Sequence, residues 1–521
     1  MAEFNQVGSD LLNNCDSVKG NSPGSYQVEE ARIDYGGQDH KITRYLQKIY
    51  IFEDIDKFGI TGWIELSDTD NLPSGFLEKH TITGQELLYL KFRTLGSELP
   101  VDFSKHPLHI HKIENLRGVD PGTGAKSASA LLYRLHFCST DLLNNDRIRI
   151  SKSYTDTYSN IIKDILTKIL KVRKNIWLEE TMDTHRVVIP NMHPFDAINY
   201  IKKLAIALEP PTNGQPNFNF YETSKGYRFK TLHVQGPGGE PDSSGLGAFW
   251  QMADHQMSWT VPLGKMSGPY WREMRNALDH KFLRIGDTYA AIRQGMLASK
   301  SIEHDSFHKT FRVKGTSYLY STSKDVESLP ARGFIESYHI PHKGGTAYVP
   351  AGDTFEAQEP FEESKTFAEF PDSRIFYTSN STEHRHDYIG TDGVPTTGDI
   401  WIDDQLTRPL WQMQQMHDRY SQIQLTVYGL SGLQVGDCIA LQYPAPGPQK
   451  DQTDKRWSSV FYITKLVHRI DLREGIAKYH CDLVCSAKDA AEERSKLPNN
   501  GNLTGSESAG YCADMSGAME R

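Results

Sequence analysis

Hydrophobic and polar positions alternate in short runs at both ends of the chain. Near the start, KITRYLQKIYIFED, GITGWIELSD, HTITGQELLYLKFRT, LHIHKIEN and SALLYRLHFCST carry β-branched and aromatic residues in runs of about five to eight, bounded by Gly, Pro, Asp and Asn. Five or six such strands with turn signals predict a small barrel or sandwich. Near the end, QIQLTVYG alternates Ile423, Leu425 and Val427, and LQVGDCIALQY, VFYITKLVHRID and AKYHCDLVCSA follow as strands. Thr407, Arg408 and Pro409 announce a helix ahead of them, with Leu410, Met413, His417 and Tyr420 on one face.

Between these regions the period lengthens. Ile161, Ile162, Ile165, Leu166, Ile169 and Leu170 form one stripe and predict a helix from about Thr155 to Lys174. Asp156 stands near its first turn, and Lys171, Arg173 and Lys174 sit where the helix dipole favours cations. IWLEET and RVVIP read as a strand pair. HPFDAINYIKKLAIAL has Pro194 at its first helical position and Pro210-Pro211 as its stop, with Phe195, Ile198, Ile201, Ala205 and Leu208 on one side. FNFYETSKGYRFKTLHV reads as a hairpin turning at Lys225-Gly226, and residues 235–247 as a loop. From Tyr270 onward, Trp271, Met274, Leu278, Phe282, Ile285, Tyr289, Ile292 and Met296 fall three or four apart. That spacing predicts a long helix or helix pair, with Trp271, Leu278 and Ile285 bracing the middle domain or a neighbouring subunit. Residues 315–400 lack sustained periodicity and read as hairpins and loops.

The first and last regions resemble each other. GQELLYLKF (84–92) matches GDCIALQY (436–443), and HIHKIEN (109–115) matches ITKLVHR (463–469) with Lys112 on Lys465. LLYRLHFCS (131–139) lies against AKYHCDLVCS (477–486), Phe137 on Leu483, and a one-residue gap would bring Cys138 onto Cys485. The elements keep their order, so the sequence reads as two copies of one β unit. The predicted class is α+β, β-rich: two similar small β-barrel (tube) domains separated by a mixed α/β domain. The predicted boundaries are a flexible N-terminus (1–27), a first barrel (28–150), a mixed domain (151–314, with 230–265 able to add strands to a barrel), a turn-rich β insertion (315–404), a second barrel (405–489) and a flexible tail (490–521).

Composition narrows the partners. The 521 residues carry 57 Lys and Arg against 66 Asp and Glu, a net charge of -9, and no basic cluster suits a sequence-reading DNA binder. Mean hydropathy is -0.54, no run reaches the ~20 apolar residues of a bilayer span, and the start lacks a basic-then-apolar leader. The expectation is a protein without a membrane anchor in a cytosol-like space. Its six cysteines, scattered without a C-x-x-C, read as free thiols.

At this point the runs SYTDTYSNIIKDIL, VVIPNMHPFDAINYI, NFNFYETSKGYRF, YAAIRQGMLASK and LTVYGLSGLQVGDCIAL together resemble the baseplate central hub proteins of contractile-tailed, T-even-type phages, which are related to type VI secretion spike proteins. The resemblance spans about residues 30–488. It implies a homotrimer whose six similar barrels continue the hexameric tail tube and hold the trimeric central spike, among other baseplate proteins, with DNA passing through the lumen without specific binding. It places the protein in the virion tail baseplate, assembled in the host cytoplasm. The ring-forming strands would be those holding Leu87, Leu88 and Leu90, Ile439 and Leu441, and Tyr462 and Leu466. A lumen richer in Asp, Glu and amides than in Lys or Arg would let DNA slide, since a basic wall would hold phosphates.

Chemistry is sparse beside these structural signals. Neither GxSxG nor a Walker loop occurs. Glu383 to Asp387 (EHRHD) has metal-capable types without a third ligand at sensible spacing; His109 and His111 read as barrel-lining or interface groups, and Cys481 with Cys485 as a pair on one face of a strand. No catalytic residue, cofactor or metal is expected. Two alternative readings remain open: a tail-borne peptidoglycan or polysaccharide hydrolase, and a receptor- or carbohydrate-binding tail module, which an aromatic share of 11% mildly favours. On the hub reading, removing residues 491–521 is expected to leave the trimer intact and weaken spike capture in a pull-down; loss of folding would overturn the boundary.

Overall fold

The computed structural model describes residues 23–68 apart from 36, 82–119 apart from 96 and 98, 130–208 apart from 183, 216–231, 257–260, 276–284, 298–305, 310–317, 375–380, 421–443, 459–472 and 478–487, with single positions at 289, 293, 415 and 419. The first region holds β1 (Tyr26–Tyr35), β2 (Gln38–Lys41), β3 (Leu46–Asp54), β4 (Thr61–Asp68), β5 (Leu87–Thr94), β6 (Val101–Asp102), β7 (Leu108–Val119) and β8 (Ala130–Ser139). Strict alternation makes β5 a strand: Leu88, Leu90 and Phe92 point into the core while Leu87, Tyr89 and Lys91 are half-buried on the other face.

The middle comprises α1 (Thr140–Arg147), β9 (Ile150–Asp156), α2 (Tyr158–Asp164), β10 (Asn175–Leu178), β11 (His185–Met192), α3 (Pro194–Ile201), β12 (Phe218–Thr223) and β13 (Gly226–Thr231). The helix expected over 155–174 is shorter. Thr155 and Asp156 belong to β9, Thr157 caps α2 through its side chain, and α2 runs into a π-helical turn at Ile165–Ile169. Lys171, at φ 53°, ends it. The stripe from Ile161 to Leu166 does face a core, shared with Phe195, Ile198, Phe220 and Tyr227. IWLEET and RVVIP do not pair with each other: β10 runs parallel to β13, and β11 is antiparallel to β9. The β12–β13 hairpin forms as expected, turning at Ser224-Lys225, one residue earlier than the sequence suggests.

Next come β14 (Met257–Thr260), β15 (Ala277–Arg284), β16 (Ala298–Asp305), β17 (Thr310–Ser317), β18 (Ile375–Asn380), β19 (Ser421–Tyr428), β20 (Cys438–Gln442), β21 (Ser459–Asp471) and β22 (Lys478–Ala487). Here the helix expected after Tyr270 is corrected. Leu278 lies on strand β15, paired antiparallel to β19, and is 43% exposed. From Asp279 to Arg284 the side chains alternate outward and half-buried, so sheet pairing overrides the helical spacing. Trp271 and Ile285 lie outside the described residues, as do Glu383–Asp387 and most of the helix expected after Thr407.

Strands from both ends of the chain enter one fourteen-stranded sheet. Its first-region strands β3, β4, β5, β7 and β8 lie in the spatial order β3, β4, β8, β7, β5, and β15, β19, β20, β21 and β22 lie in the order β15, β19, β22, β21, β20. This is the same path walked twice, with every neighbour antiparallel. Irregularities recur with it. The ladder shifts between Leu46 and Lys48 in β3 and between Ala277 and Asp279 in β15, then between Ile110 and Lys112 in β7 and between Ile463 and Lys465 in β21. The second pair of bulges falls on His111 and Thr464, which the sequence match had already aligned. In β8 and β22 the ladders set Phe137 opposite Ile110 and Cys485 opposite Ile463, two residues beyond the sequence match; a slip of two keeps every side chain on its face.

A carboxylate-capped turn recurs as well. Thr83 N donates to Glu86 Oε1 (2.6 Å) and Gln434 N to Asp437 Oδ2 (2.9 Å), while Ile110 N and Ile463 N donate to the carbonyls of Glu86 and Asp437, each at 2.9 Å. Gly226 supports the middle domain's close packing, at φ 140° with Asn175 O only 2.2 Å from where a Cβ would stand. Gly226→Ala is expected to lower the unfolding free energy by more than about 2 kcal/mol, read from denaturant midpoints, because strain and clash add.

Candidate assembly interface

The two β regions meet where β21 lies antiparallel to β3, from Lys465 opposite Asp54 to Asp471 opposite Lys48. A Lys465 Nζ to Asp54 Oδ2 ion pair of 3.2 Å closes one end of this seam. Beside it, Tyr479 N donates to Gly24 O (2.9 Å). Thr94 and Ser431 exchange bonds: Thr94 N donates to Ser431 Oγ (3.1 Å) and Ser431 N to Thr94 Oγ1 (2.9 Å). Both residues are buried, so each hydrogen bond also removes the cost of an unpaired polar group.

Charges are sunk beneath the seam. On β3, Ile49, Ile51 and Glu53 share the inward face, which places a carboxylate in the core. Glu53 accepts from Ser224 N (2.9 Å) and Val435 N (3.3 Å), tying the first region, the middle hairpin and the last region at one group. Burial pushes its carboxyl up to about 7, against the pull of those two N–H donors and of Arg228. Arg228 donates to Gln434 Oε1 (2.6 Å). A second buried carboxylate, Glu222, accepts from Ile60 N (2.9 Å) and Ser139 Oγ (3.0 Å) and pairs with Lys174, whose Nζ also lies 3.4 Å from Asp141. These charges were missed in the sequence, although Glu53 was legible as an acid at an inward position of an alternating strand.

The inward face of β21 and β22 carries His468, Tyr479 and Cys481, all fully buried. Tyr479 OH lies 2.6 Å from His468 Nδ1, and Cys481 Sγ 3.6 Å from the same nitrogen. Burial holds the imidazole down to about 3 and the thiol up to about 12, so both are neutral at pH 7 and form a packed polar cluster. Cys485 is buried with them, as the four-residue spacing predicts. No cluster of three or more metal-capable side chains occurs among the described residues, and no described helix is long and apolar enough to cross a membrane.

Leu88, Leu90, Ile439, Leu441, Tyr462 and Leu466 are all buried in one core cluster beneath the sheet, while Leu87 is half-buried on the opposite face of β5. The surface features are strand edges. Among the described residues β15 has β19 as its sole neighbour, and β7 beyond Ile110 pairs with β8 alone. On the sheet face opposite the core, charges stand in pairs: Glu65 with Lys48 (3.5 Å) and Arg134 (3.3 Å), Glu114 with His136 (2.9 Å), Asp482 with Arg469 (3.7 Å). Arg134 also covers Trp63, which stacks on Tyr50 at 4.0 Å.

No family model and no curated protein matches the sequence. The chain's structural neighbours are phage tail and baseplate proteins and type VI secretion proteins. A 43 kDa tail protein of prophage MuSo2 from Shewanella oneidensis is 11% identical at a TM-score of 0.46, the match covering 89% of this chain and 98% of that one. A tail protein from Neisseria meningitidis MC58 is 8% identical at a TM-score of 0.46, covering 89% and 96%. An Escherichia coli type VI secretion component, itself described as similar to the T4 tail proteins gp27 and gp5, is 10% identical at a TM-score of 0.34, covering 90% and 78%.

Glu53 makes the seam sensitive to pH. Its folded-state value lies above the unfolded one, so the folded chain holds the proton more tightly and stability falls as pH rises from about 4.5 to about 7, then levels. Glu53→Gln is expected to flatten that fall, a loss of up to about 3 kcal/mol, in chemical denaturation series at pH 5 and pH 7.5.

Proposed function

We propose that this chain is a structural virion protein, the trimeric hub at the centre of a contractile-tail baseplate, which joins the hexameric tail tube to the trimeric central spike and forms part of the channel for DNA. The carrying observation is the twice-walked strand path together with the seam of β21 on β3. Within one chain, the fourth strand of the second unit (β21) extends onto the first strand of the first unit (β3). The counterparts are β15, which ends the sheet path, and β7, which beyond Ile110 pairs with β8 alone among the described residues. By ladder position Asn115 takes the place of His468, and Phe282 the place of Ile51. Pairing β7 of one copy with β15 of the next repeats the internal seam, and repetition around an axis closes a ring at these two edges. A hexameric tube asks for six units, hence three chains. The ring then has approximate sixfold symmetry toward the tube and true threefold symmetry toward a spike.

The paired charges on the outer face suit a channel wall in a different way from the acidic lumen expected from the sequence. Lysines and arginines already matched by carboxylates hold phosphates weakly. The hub reading assigns His468 and Cys481, both fully buried, to core packing and not to chemistry. The purified chain is therefore expected to be inert on a cell-wall zymogram.

Light scattering of the purified protein is expected to give the mass of three chains. Leu283→Pro falls at the register shift between Phe282 and Arg284, where Leu283 has no ladder partner on β19, and a proline there is expected to block strand addition at the edge of β15. It is expected to yield monomers with unchanged far-ultraviolet circular dichroism. An even-numbered assembly, or a trimer indifferent to this proline, would refute the ring.

A further inference from the structure

A cavity of about 680 Å³ opens between the first β region and the mixed domain, away from the strand edges just described. Its walls come from the ends of β5 and β7, one face of α1 and the segment after the π-helical turn. Leu87, Pro107, Ile148 and Leu170 give it an apolar lining. At its rim stand four exposed cations, Lys105, Arg147, Lys171 and Arg173, none of which takes an ion pair among the described residues. The lining's one carboxylate, Asp141, is engaged by Lys174 (3.4 Å) and Tyr227 OH (3.3 Å). Lys174 is spent on Glu222 and Asp141 and offers no free charge at the deep end, so the unmatched positive charge lies at the mouth.

The backbone here is unusual too. The π-helical turn at Ile165–Ile169 and the left-handed Lys171 after it carry Lys171 and Arg173 to the cavity. Both features cost energy in an ordinary helix end and gather at binding sites.

We propose that this cavity is a docking site for an acidic segment of a partner protein, one in which carboxylates flank an aliphatic or aromatic anchor. An apolar floor inside a charged rim is the anatomy of a protein–protein contact. A phosphate ligand would ask for converging backbone N–H groups, and the helix start at this site, that of α1, already holds Asp141 in its first turn. In a chain of net charge -9, four unmatched cations at one mouth also steer an acidic partner to this place rather than to the surface at large. The site is independent of the ring, since none of its residues belongs to the proposed edge pairing.

The test uses the full chain in its native assembly and a fluorescein-labelled peptide, Asp-Glu-Leu-Phe-Glu-Asp, read by anisotropy. Saturable binding is expected, weakened at least tenfold by Lys171→Glu with Arg173→Glu and severalfold by the milder Lys171→Gln with Arg173→Gln, with assembly mass unchanged. The all-lysine counterpart should not bind. Absence of saturable binding would overturn the proposal, and so would affinity unchanged in both double variants. Displacement of the peptide by inorganic triphosphate or a twelve-nucleotide single strand at equal concentration would overturn it in favour of a phosphate site.

Discussion

The backbone ladder between β21 and β3 is the constraint on which the remaining architecture rests. It joins strands more than 400 residues apart, from Lys465 opposite Asp54 to Asp471 opposite Lys48, and makes two similar sets of strands into one sheet. Closing so long a loop costs only slightly more than closing a short one, because the entropy grows with the logarithm of length. What must be exact is register: a slip by one residue would turn His468 outward and set Arg469 in the core. The bulges at Thr464 and between Leu46 and Lys48 fix that register on both sides of the seam.

Burying Glu53 beneath the seam is expensive, and the expense has a structural return. Its two N–H donors come from Ser224 in the middle hairpin and Val435 in the last region, so three separate parts of the chain must be in place before the carboxylate is satisfied. Glu222, with donors at Ile60 and Ser139, does the same between the first region and the middle domain. Misplaced domains would leave a buried acid unpaired, a penalty of several kcal/mol that hydrophobic packing alone would not impose.

Much of this was legible in the sequence where alternation was strict. Ile423, Leu425 and Val427 are all fully buried, and the β12–β13 hairpin and the Pro194 helix start stand where pattern and turn chemistry place them. The match of Lys112 to Lys465 is borne on the same bulge in both strands. Where pattern misled, a tertiary partner decided: β15 has helical spacing in its apolar residues but is held by β19, and IWLEET finds β13 across a gap of some fifty residues instead of its sequence neighbour. The site was less visible. Open edges are a property of what lies beside a strand, which no single run of residues encodes, whereas Leu88, Leu90, Ile439, Leu441, Tyr462 and Leu466 are read from alternation and lie in the core of their strands.

The distance between β3 and β21 also bears on synthesis. Ile51 leaves the ribosome long before its partner His468, an interval of about 20–80 s at ~5–20 residues per second. Throughout it, β3 has one edge without its mate while β4 and β8 are already available to it. A nascent chain in that condition is a substrate for chaperones and for premature pairing with its siblings on the same messenger.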